Sequence, residues 1–247
     1  MKPSQKKRVV VVGATSGIGL EVARLFAQRG YIVGIAGRRV ERLSEISKLT
    51  EGIAAYKQID INEDAAPQKL FELVEELGGM DIYFHSSGIG WENVNYDIDK
   101  EMKTIETNAM GFTRMVSAVY KWFADNNISG HIAGITSIAR TRSLGAAPAY
   151  SATKRFQSHY LECLTQQANM RHLNIHITDI RPGFVATDLI AGSNFPLQLS
   201  AKDVAQDIVR AVEHCKKSVV IDWRYRLLVA LWHLIPKWLW IRLRFIK

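Results

Sequence analysis

Acid–base chemistry is suggested first by a tyrosine and a lysine that stand four positions apart, Tyr150 and Lys154. On a helix, this spacing places both side chains on one face, about one turn apart. An ammonium beside a phenol favours the phenolate, so it lowers the pKa of the tyrosine and lets it act as a general acid or base. Taken alone, such a pair is more often part of an ordinary surface helix, so a catalytic role needs support from elsewhere in the chain.

A glycine-rich turn near the N-terminus gives that support. Residues 9–19 read VVVVGATSGIG, an apolar β-branched run with glycines at 13, 17 and 19, and a segment of helical periodicity follows at once. In such a strand–turn–helix unit the backbone can approach a pyrophosphate, and the helix N-terminus offers free N–H groups and a positive dipole end. Because the glycines lie between a strand and a helix, the pattern indicates dinucleotide binding far more strongly than glycine spacing alone.

Strand and helix patterns alternate along the chain and are joined by short turns. Strands are predicted near 8–12, 31–36, 53–58, 81–86, 130–136, 174–180 and 217–221. Helices are predicted near 17–29, 39–50, 63–77, 97–127, 149–170 and 201–214. This rhythm predicts an α/β fold, a Rossmann-type doubly wound parallel sheet of about seven strands flanked by helices. Residues 1–222 form the predicted NAD(P)-binding domain, and residues 223–247 form a basic, apolar C-terminal tail.

Together these motifs resemble the short-chain dehydrogenase/reductase family, in its compact single-domain branch. The resemblance covers roughly residues 8–222, with the motifs in the family's order. The family's TGxxxGIG turn corresponds to VGATSGIG at 12–19, its YxxxK motif to the Tyr150–Lys154 pair, and its Pro-Gly turn to Pro182-Gly183. The resemblance implies an enzyme that transfers hydride between a nicotinamide and a carbonyl or alcohol carbon.

The resemblance also implies four catalytic residues. Tyr150 would exchange the proton with the substrate oxygen, and Lys154 would depress the Tyr150 pKa and hold the nicotinamide ribose. Ser137 would donate a hydrogen bond to the same oxygen, where negative charge develops. Asn108 would lie in a helix bend and hold a water that links Lys154 to solvent. Because all four positions are filled, an enzyme is favoured over a protein that has lost catalysis.

The same resemblance implies a set of cofactor-binding residues. They are Gly13, Thr15, Ser16, Gly17, Ile18, Gly19, Arg38, Arg39, Asp60, Ile61, Ser87, Gly88, Tyr150, Lys154, Pro182, Gly183, Val185 and Thr187. At the end of the second strand, glycine stands where an acid would accept the ribose hydroxyl of NAD, and two arginines follow, which suit a 2′-phosphate. The sequence therefore favours NADP(H) over NAD(H). The alternative is that both arginines merely open a solvated helix.

Two further positions allow more than one interpretation. Asp60 matches the family position that contacts the adenine ring, and it could equally cap the helix predicted at 63–77. Where the family usually shows Asn-Asn-Ala-Gly, this chain has His85-Ser86-Ser87-Gly88. Gly88 still lets the backbone pass close to the cofactor. His85 is interpreted as a structural, hydrogen-bonded histidine at the end of a buried strand rather than as a catalytic one.

The net charge of +8 belongs to the two ends of the chain. Residues 223–247 hold six basic residues and no acid, residues 1–8 hold four more, and the body between them carries −2. This distribution argues against a nucleic-acid partner. Cys163 and Cys215 have no metal-like spacing and are predicted to be small buried hydrophobes in a reducing compartment. The histidines form no ligand cluster, so we expect no metal site.

Residues 184–200 lie where the family places its mobile substrate lid. Gly192, Ser193, Asn194 and Pro196 suit a loop that closes over substrate. The apolar residues of this segment favour a hydrophobic substrate, and ordinary packing of the lid explains them equally well. They are Phe184, Leu189, Ile190, Phe195 and Leu197.

The tail contains four of the six tryptophans. Its apolar run at 227–241 is shorter than the roughly 20 residues of a transmembrane helix. On one continuous helix, Arg226, His233, Lys237 and Arg244 would share a face, which suits a helix lying on an anionic bilayer. Packing on another subunit or over the cleft is the alternative, because so much apolar surface needs a partner. The tail is also similar to that of bacterial reductases acting on polyprenyl-linked keto-sugars, which implies a lipid-linked carbonyl substrate.

The sequence thus predicts an NADP(H)-dependent oxidoreductase of a carbonyl compound, most simply a hydrophobic or lipid-linked one. The alternatives are a soluble reductase of small ketones or sugars whose tail serves oligomerisation, and a non-catalytic dinucleotide-sensing protein. Family members are commonly dimers or tetramers through their long helices, so a homodimer or homotetramer is expected through 97–127 and 149–170. No secretion signal precedes the first strand, so we expect a cytoplasmic protein with peripheral contact at the inner face of a membrane.

Overall fold

The computed structural model describes residues 6–190 and 197–243. Its centre is a parallel sheet of seven strands in the order β3-β2-β1-β4-β5-β6-β9. The strands are β1 (Arg8–Val12), β2 (Ile32–Gly37), β3 (Ile53–Gln58), β4 (Ile82–His85), β5 (Gly130–Ile135), β6 (Ile175–Arg181) and β9 (Ser218–Val220). The predicted doubly wound Rossmann-type sheet is confirmed. Its strand order reverses between β1 and β4, where open α/β sheets bind their ligands at the carboxyl edge.

Helices cover both faces of the sheet. They are α1 (Gly17–Gln28), α2 (Val40–Leu49), α3 (Ala66–Glu76), α4 (Ile98–Ile105), α5 (Phe112–Asp125), α6 (Pro148–Met170), α7 (Ala201–Glu213), α8 (Trp223–Leu234) and α9 (Lys237–Trp240). Because side chains alternate along a strand, β1 supplies both cores: Val9 and Val11 pack with α1 and α7, and Val10 and Val12 pack with α3 and α5. The four valines of β1 are therefore all buried, two on each face of the sheet.

The helix predicted at 97–127 is not continuous. Between α4 and α5 the chain forms a π-helical segment, Glu106–Gly111, that contains Asn108. A π-helical turn widens the hydrogen-bond ladder and frees backbone groups for other partners, and such turns are frequent at functional sites. The predicted bend at Asn108 is thus present and has a specific geometry.

A short two-stranded ladder joins β7 (Val185–Ala186) to β8 (Leu199–Ser200). Val185 and Leu199 are buried, so both ends of the predicted lid segment are held against the domain. The lid predictions for Gly192, Ser193, Asn194, Phe195 and Pro196 lie outside the described residues, as does the side chain of Ile190.

The tail does not form one helix. Pro236 cannot continue the helical hydrogen-bond ladder, so α8 ends at Leu234 and α9 begins at Lys237. The single face predicted for Arg226, His233 and Lys237 is therefore interrupted, and Arg244 lies outside the described residues. Tyr225 of α8 is only 1% exposed and belongs to the core of the domain. Within residues 6–190 and 197–243, no helix has both the length and the apolar character that crossing a membrane requires.

The prediction for the two cysteines is wrong. Cys163 on α6 and Cys215 after α7 are both exposed. Cys163 falls on the outer side of α6, and Cys215 lies in the turn after α7 with φ +49°, so neither fills the core.

Candidate active site

The glycine turn, residues 13–19, packs directly against the segment that follows β4. Gly13 has φ +89°, and a Cβ added there would stand 2.6 Å from the backbone nitrogen of Ser87. A Cβ on Gly19 would stand 2.2 Å from the carbonyl oxygen of Gly13. Side chains at either position would separate the two segments, so glycine is required for this close approach. The predicted neighbours Ser87 and Gly88 are thereby brought to the turn.

The N-terminus of α1 is free to receive an anion. Ser16 occupies the N-cap position, yet its side chain makes no capping hydrogen bond to the helix. The first N–H groups of α1 therefore have no cap from the Ser16 side chain, which fits the binding of a dinucleotide pyrophosphate. Ile18 points the other way and packs on the hydrophobic core. Its predicted proximity to the cofactor stays a prediction.

Arg39 closes over this turn. Its Nη2 donates to Thr15 Oγ1 at 2.7 Å and to Ser16 Oγ at 2.9 Å. Gly37 precedes it at the tip of β2, where a Cβ would stand 2.9 Å from Thr15 Cγ2. Both arginines are exposed, and Arg38 differs in that its backbone carbonyl accepts from Gln58 Nε2 at 3.0 Å. Of the two predicted arginines, Arg39 is thus the one whose guanidinium group contacts the glycine turn.

Asp60 and Ile61 lie beyond the end of β3. The Asp60 carboxylate accepts from the backbone N–H of Asn62 at 3.0 Å and so shapes its own turn. The prediction that Asp60 caps the next helix is wrong, because α3 begins at Ala66 with Ala65 as its N-cap. Ile61 is buried against the π-helical segment, where a Cβ on Gly111 would stand 2.9 Å from Ile61 Cγ1.

The Pro182-Gly183 turn links the cofactor side to the tail. The Pro182 carbonyl accepts from the Ile138 N–H at 3.1 Å. A Cβ on Gly183 would stand 2.2 Å from the ring of Tyr225 on α8. Thr187 Cγ2 would stand 3.0 Å from a Cβ on Gly17, which has φ +56°. The predicted residues 182–187 therefore lie against the glycine turn on one side and against α8 on the other.

Tyr150 and Lys154 share one face of α6, as their spacing predicts. Lys154 is 4% exposed, and its Nζ lies 5.7 Å from the centroid of the Tyr150 ring. That ammonium donates to the carbonyl oxygen of Ile135 at 3.0 Å and to Gln157 Oε1 at 3.0 Å. A Cβ added at Gly88 would stand 3.5 Å from Lys154 Nζ, so the loop after β4 passes directly beside the ammonium.

Burial dominates the proton affinities of this pair. Burial raises the pKa of Tyr150, and a hydrogen bond with the Ser137 side chain partly offsets that rise. Burial also lowers the pKa of Lys154 to about 8, with the carboxylate of Asp179 acting in the opposite direction. The sequence predicted a lowered Tyr150 pKa, and in this structure it is raised instead. The reason is that the ammonium is directed to Ile135 and Gln157, so it lies over the ring rather than beside the phenol oxygen.

Asn108 is fully buried and bonded on every side. Its side-chain amide accepts from the Ile89 N–H at 2.9 Å and donates to the Ile89 carbonyl at 2.7 Å and to Thr153 Oγ1 at 3.2 Å. Its backbone carbonyl accepts from Gln157 Nε2 at 2.8 Å. Gln157 therefore bridges Lys154 and Asn108 directly. The predicted water that links Lys154 to solvent through Asn108 stays a prediction.

Ser137 lies two residues after the end of β5 and is the N-cap of a short 3₁₀ helix, Ile138–Arg140. Its Oγ accepts from the Ala139 N–H at 3.1 Å, which fixes the serine at the mouth of the site. On the opposite side, a Cβ on Gly90 would stand 2.3 Å from Tyr150 Cδ2. Gly90 is a positioning residue that sequence reasoning missed, because nothing in its local pattern shows that a ring packs on it.

A buried acidic centre supports the same region, and it too was missed. Asp179 on β6 accepts from Thr136 Oγ1 at 2.5 Å and from Arg181 Nε at 2.7 Å, and it also bonds to the Ser158 hydroxyl on α6. Because its carboxylate is paired on both oxygens, it joins the ends of β5 and β6 to the catalytic helix without leaving an unpaired buried charge.

His85 agrees with the structural interpretation. It is fully buried, its Nδ1 lies 2.8 Å from the hydroxyl of Tyr83, and its ring packs edge-on against Phe112. Burial lowers the His85 pKa to about 3, so the imidazole is neutral at physiological pH and serves packing and hydrogen bonding.

Comparison with known proteins agrees with this arrangement. The family model of the short chain dehydrogenases matches residues 7–195. Over 238 residues the chain is 30% identical to dehydrogenase/reductase SDR family member 7B of Mus musculus, which covers 86% of this chain and 72% of the relative. Over 181 residues it is 32% identical to an NADP-dependent 3-hydroxy acid dehydrogenase of Shigella flexneri, which covers 72% of each.

Solved structures show the same fold. A crystal structure of a short chain dehydrogenase from Bacillus anthracis superposes with a TM-score of 0.80 at 20% identity, covering 93% of this chain and 98% of the other. An actinorhodin polyketide ketoreductase variant crystallised with NADPH superposes with a TM-score of 0.76 at 20% identity, covering 90% and 97%.

Proposed function

The chain belongs to the short-chain dehydrogenase/reductase family and is an NAD(P)-dependent oxidoreductase, and from this premise we propose that it uses NADP(H) to reduce a hydrophobic carbonyl compound. Three parts of this proposal go beyond the family: the choice of cofactor, the direction of hydride transfer and the class of substrate. Each is supported by a different part of the site.

The single observation that carries the cofactor choice is the position of Arg39. Its guanidinium lies over Thr15 and Ser16 at the edge of the glycine turn, with glycine rather than an acid at position 37. A carboxylate at the tip of β2 would repel a 2′-phosphate, whereas a guanidinium pairs with phosphate oxygens through parallel N–H bonds. The Shigella relative, named as NADP-dependent, is consistent with the same choice.

The catalytic residues act on the substrate oxygen. The bound nicotinamide supplies the hydride for reduction. Tyr150 gives its proton to the carbonyl oxygen, and Ser137 donates a hydrogen bond to that oxygen as its negative charge develops. Lys154, whose Nζ lies 5.7 Å from the centroid of the Tyr150 ring, would hold the nicotinamide ribose. Asn108 and Gln157 hold Lys154 in place. A preference for NADP(H) also favours reduction as the physiological direction.

Apolar side chains around the mouth of the site support a hydrophobic substrate. Trp91 and Val94 in the loop after β4 and Leu189 and Leu197 beside the lid are all exposed. Leaving large apolar side chains in water is unfavourable, and a polar ligand does not relieve this cost. They therefore favour a substrate whose apolar surface covers them. A polyprenyl-linked or other lipid carbonyl compound belongs to this class.

Cofactor affinity tests the proposal most directly. NADPH and NADH are titrated by protein fluorescence against the unmodified chain, Arg39→Ala and the matched control Arg38→Ala. We expect a strong NADPH preference that Arg39→Ala reduces by about 10- to 100-fold, since one charge-assisted contact contributes roughly 1.5–3 kcal/mol. Arg38→Ala should lose less. Equal affinity for NADPH and NADH in the unmodified chain would refute the choice of NADP(H).

We also propose that the enzyme is a homodimer or homotetramer through α4 and α6. Met102 and Met110 near α4 and Phe156 on α6 are exposed apolar residues on the long helices that the sequence assigned to assembly. Covering them removes apolar area from water. Light scattering measures the mass, and a monomer at micromolar concentration contradicts this assembly.

A further inference from the structure

The C-terminal hairpin, defined as α8, α9 and their flanking residues 223–243, presents a continuous apolar surface to solvent. Six of its apolar residues are more than half exposed: Trp223, Leu227, Leu231, Leu234, Trp238 and Ile241. The first four recur at intervals of four, four and three along α8, which places them on one helical face. A soluble helix normally turns such a face to the core, so this one needs an external partner.

The opposite face of the hairpin is fixed to the domain, so the apolar surface cannot turn inward. Tyr225 is buried, and its hydroxyl donates to the Leu197 carbonyl at 3.0 Å. Arg142 donates to the carbonyl oxygens of Trp232 at 3.0 Å and Ile235 at 2.6 Å. Trp240 Nε1 donates to the Ser143 carbonyl at 2.8 Å. Both helices are thus anchored by partly buried hydrogen bonds.

The charges around this surface select its partner. Arg226, Lys237 and Arg242 are exposed at its border, and no acidic residue occurs between 223 and 243. A second copy packed across a twofold axis would bring these cations together, because an isologous contact uses the same patch twice. An anionic lipid surface neutralises them and accepts the leucine and tryptophan side chains at the same time.

The hairpin also lies at the catalytic edge of the sheet. α8 begins directly after β9, at the carboxyl ends of the parallel strands where the glycine turn and Ser137 lie. Arg142, which holds α8, accepts through its own carbonyl a hydrogen bond of 3.1 Å from Ser151 Oγ, and Ser151 adjoins the catalytic Tyr150. One loop therefore connects the exposed surface to the active site.

We propose that the C-terminal hairpin docks on an anionic bilayer surface, with its apolar face in the boundary between headgroups and acyl chains. Docking in this orientation turns the catalytic edge towards the membrane. The docking itself does not depend on the reaction. Its consequence, delivery of a lipid-linked carbonyl substrate from the bilayer, rests on the proposed function.

Flotation with lipid vesicles tests the docking. The full-length chain is mixed with phosphatidylcholine vesicles with or without phosphatidylglycerol, at low and high salt. We expect binding to the anionic vesicles that weakens with salt, and loss of at least about 100-fold in Leu227→Glu/Leu231→Glu, since each buried leucine contributes about ten-fold or more. Lys237→Gln should lose about five-fold, the usual effect of one cation near an anionic surface.

The matched control is Leu49→Glu/Met170→Glu, which changes two equally exposed apolar residues at the far ends of α2 and α6. It should bind vesicles like the unmodified chain. No binding of the unmodified chain to anionic vesicles, or equal loss in both double variants, overturns the docking. A changed mass of the hairpin variant with vesicle binding retained also overturns it and assigns the surface to a second copy. Reduction of a water-soluble carbonyl by NADPH should be retained in the hairpin variant, so failure of docking and failure of the reaction are separate results.

Discussion

Two helices of this chain occupy equivalent places and use them differently. α1 follows β1 at the carboxyl edge of the sheet, and α8 follows β9 at the same edge. The buried residues of α1 are its apolar ones, among them Leu20, Val22 and Phe26, and its polar residues face solvent. In α8, Tyr225 is fully buried while leucines and tryptophans remain in water. The domain buries the apolar residues of α1, whereas α8 has more apolar residues than the domain covers.

The difference shows which parts of the fold are complete in one chain. In the glycine turn before α1 the contacts are between backbones, as at Gly13 and Ser87, and α1 itself packs its apolar side chains into the core. Around α8 the contacts are between side chains and carbonyl groups, and one whole face is left to a partner. Cofactor binding is therefore expected to be insensitive to the C-terminal hairpin, whereas access of substrate depends on it.

The largest effect is expected from a substitution that separates catalysis from cofactor binding. It lies at the carboxyl edge of the sheet, where α1 and α8 both begin. Tyr150→Phe removes the proton donor and keeps the ring that packs on Gly90. We expect hydride transfer to fall by about 100- to 10,000-fold, the usual contribution of a general acid, while NADPH affinity changes less than about three-fold. Single-turnover absorbance of NADPH measures the first quantity, and fluorescence titration measures the second.

The matched comparison is Ser137→Ala, because this variant loses a hydrogen bond and keeps Tyr150 as the acid. The rate of Ser137→Ala should lie between that of the unmodified chain and that of Tyr150→Phe. Turnover retained in Tyr150→Phe would show that another group supplies the proton. No turnover by the unmodified chain with any carbonyl tested, together with intact cofactor binding, would favour the dinucleotide-sensing alternative.

Sequence reasoning located what depends on local pattern. The strands, the glycine turn and the Tyr150–Lys154 pair were predictable because each rests on periodicity or on a short motif within one element. The break of the tail at Pro236 was also available from the sequence, since proline cannot continue a helix. The error was to project Arg226 and Lys237 on a single helix across it.

The next prediction compares one substitution at the two helices. Gly13→Ala places a Cβ against the backbone of Ser87 and strains a residue at φ +89°. Gly183→Ala places a Cβ against the ring of Tyr225, which belongs to α8 and can shift. We expect the first to lower the free energy of unfolding by about 3 kcal/mol or more and to weaken NADPH binding strongly. The second should cost about 1–3 kcal/mol and, because Gly183 belongs to the predicted cofactor-binding set, should weaken NADPH binding but less than the first.

Urea denaturation and NADPH titration measure both effects on both variants. Gly30→Ala is a useful control, because Gly30 has φ +82° but open space around a Cβ, so it reports backbone strain alone. Equal loss of NADPH affinity in Gly13→Ala and Gly183→Ala would contradict the separation between the two regions.

Gln157 shows why the remainder of the site could not be predicted. Its Nε2 bonds to the carbonyl of Asn108, 49 positions earlier, which is free to accept because it lies in a π-helical segment. Its spacing of three places Gln157 on the same helix face as Lys154, but no pattern within α6 signals its partner Asn108. Contacts between distant elements decide such roles, and they follow from packing rather than from local sequence.

The smallest expected effect concerns how Gln157 sets the proton affinity of Lys154. Burial lowers the Lys154 pKa to about 8, so the ammonium loses its proton as pH rises through that value. Because the proposed mechanism needs the ammonium form of Lys154, kcat/KM should fall as pH rises above about 8. Gln157→Leu removes an acceptor of the ammonium and should lower the Lys154 pKa further, which moves this alkaline limb to lower pH. Gln157→Glu places a carboxylate 3.0 Å from the ammonium and should move the limb to higher pH.

Opposite displacements in the two variants, at similar NADPH affinity, identify Gln157 as a positioning residue that acts through Lys154. A limb that stays in place in both variants while activity falls would show that Gln157 serves the packing of α6 alone.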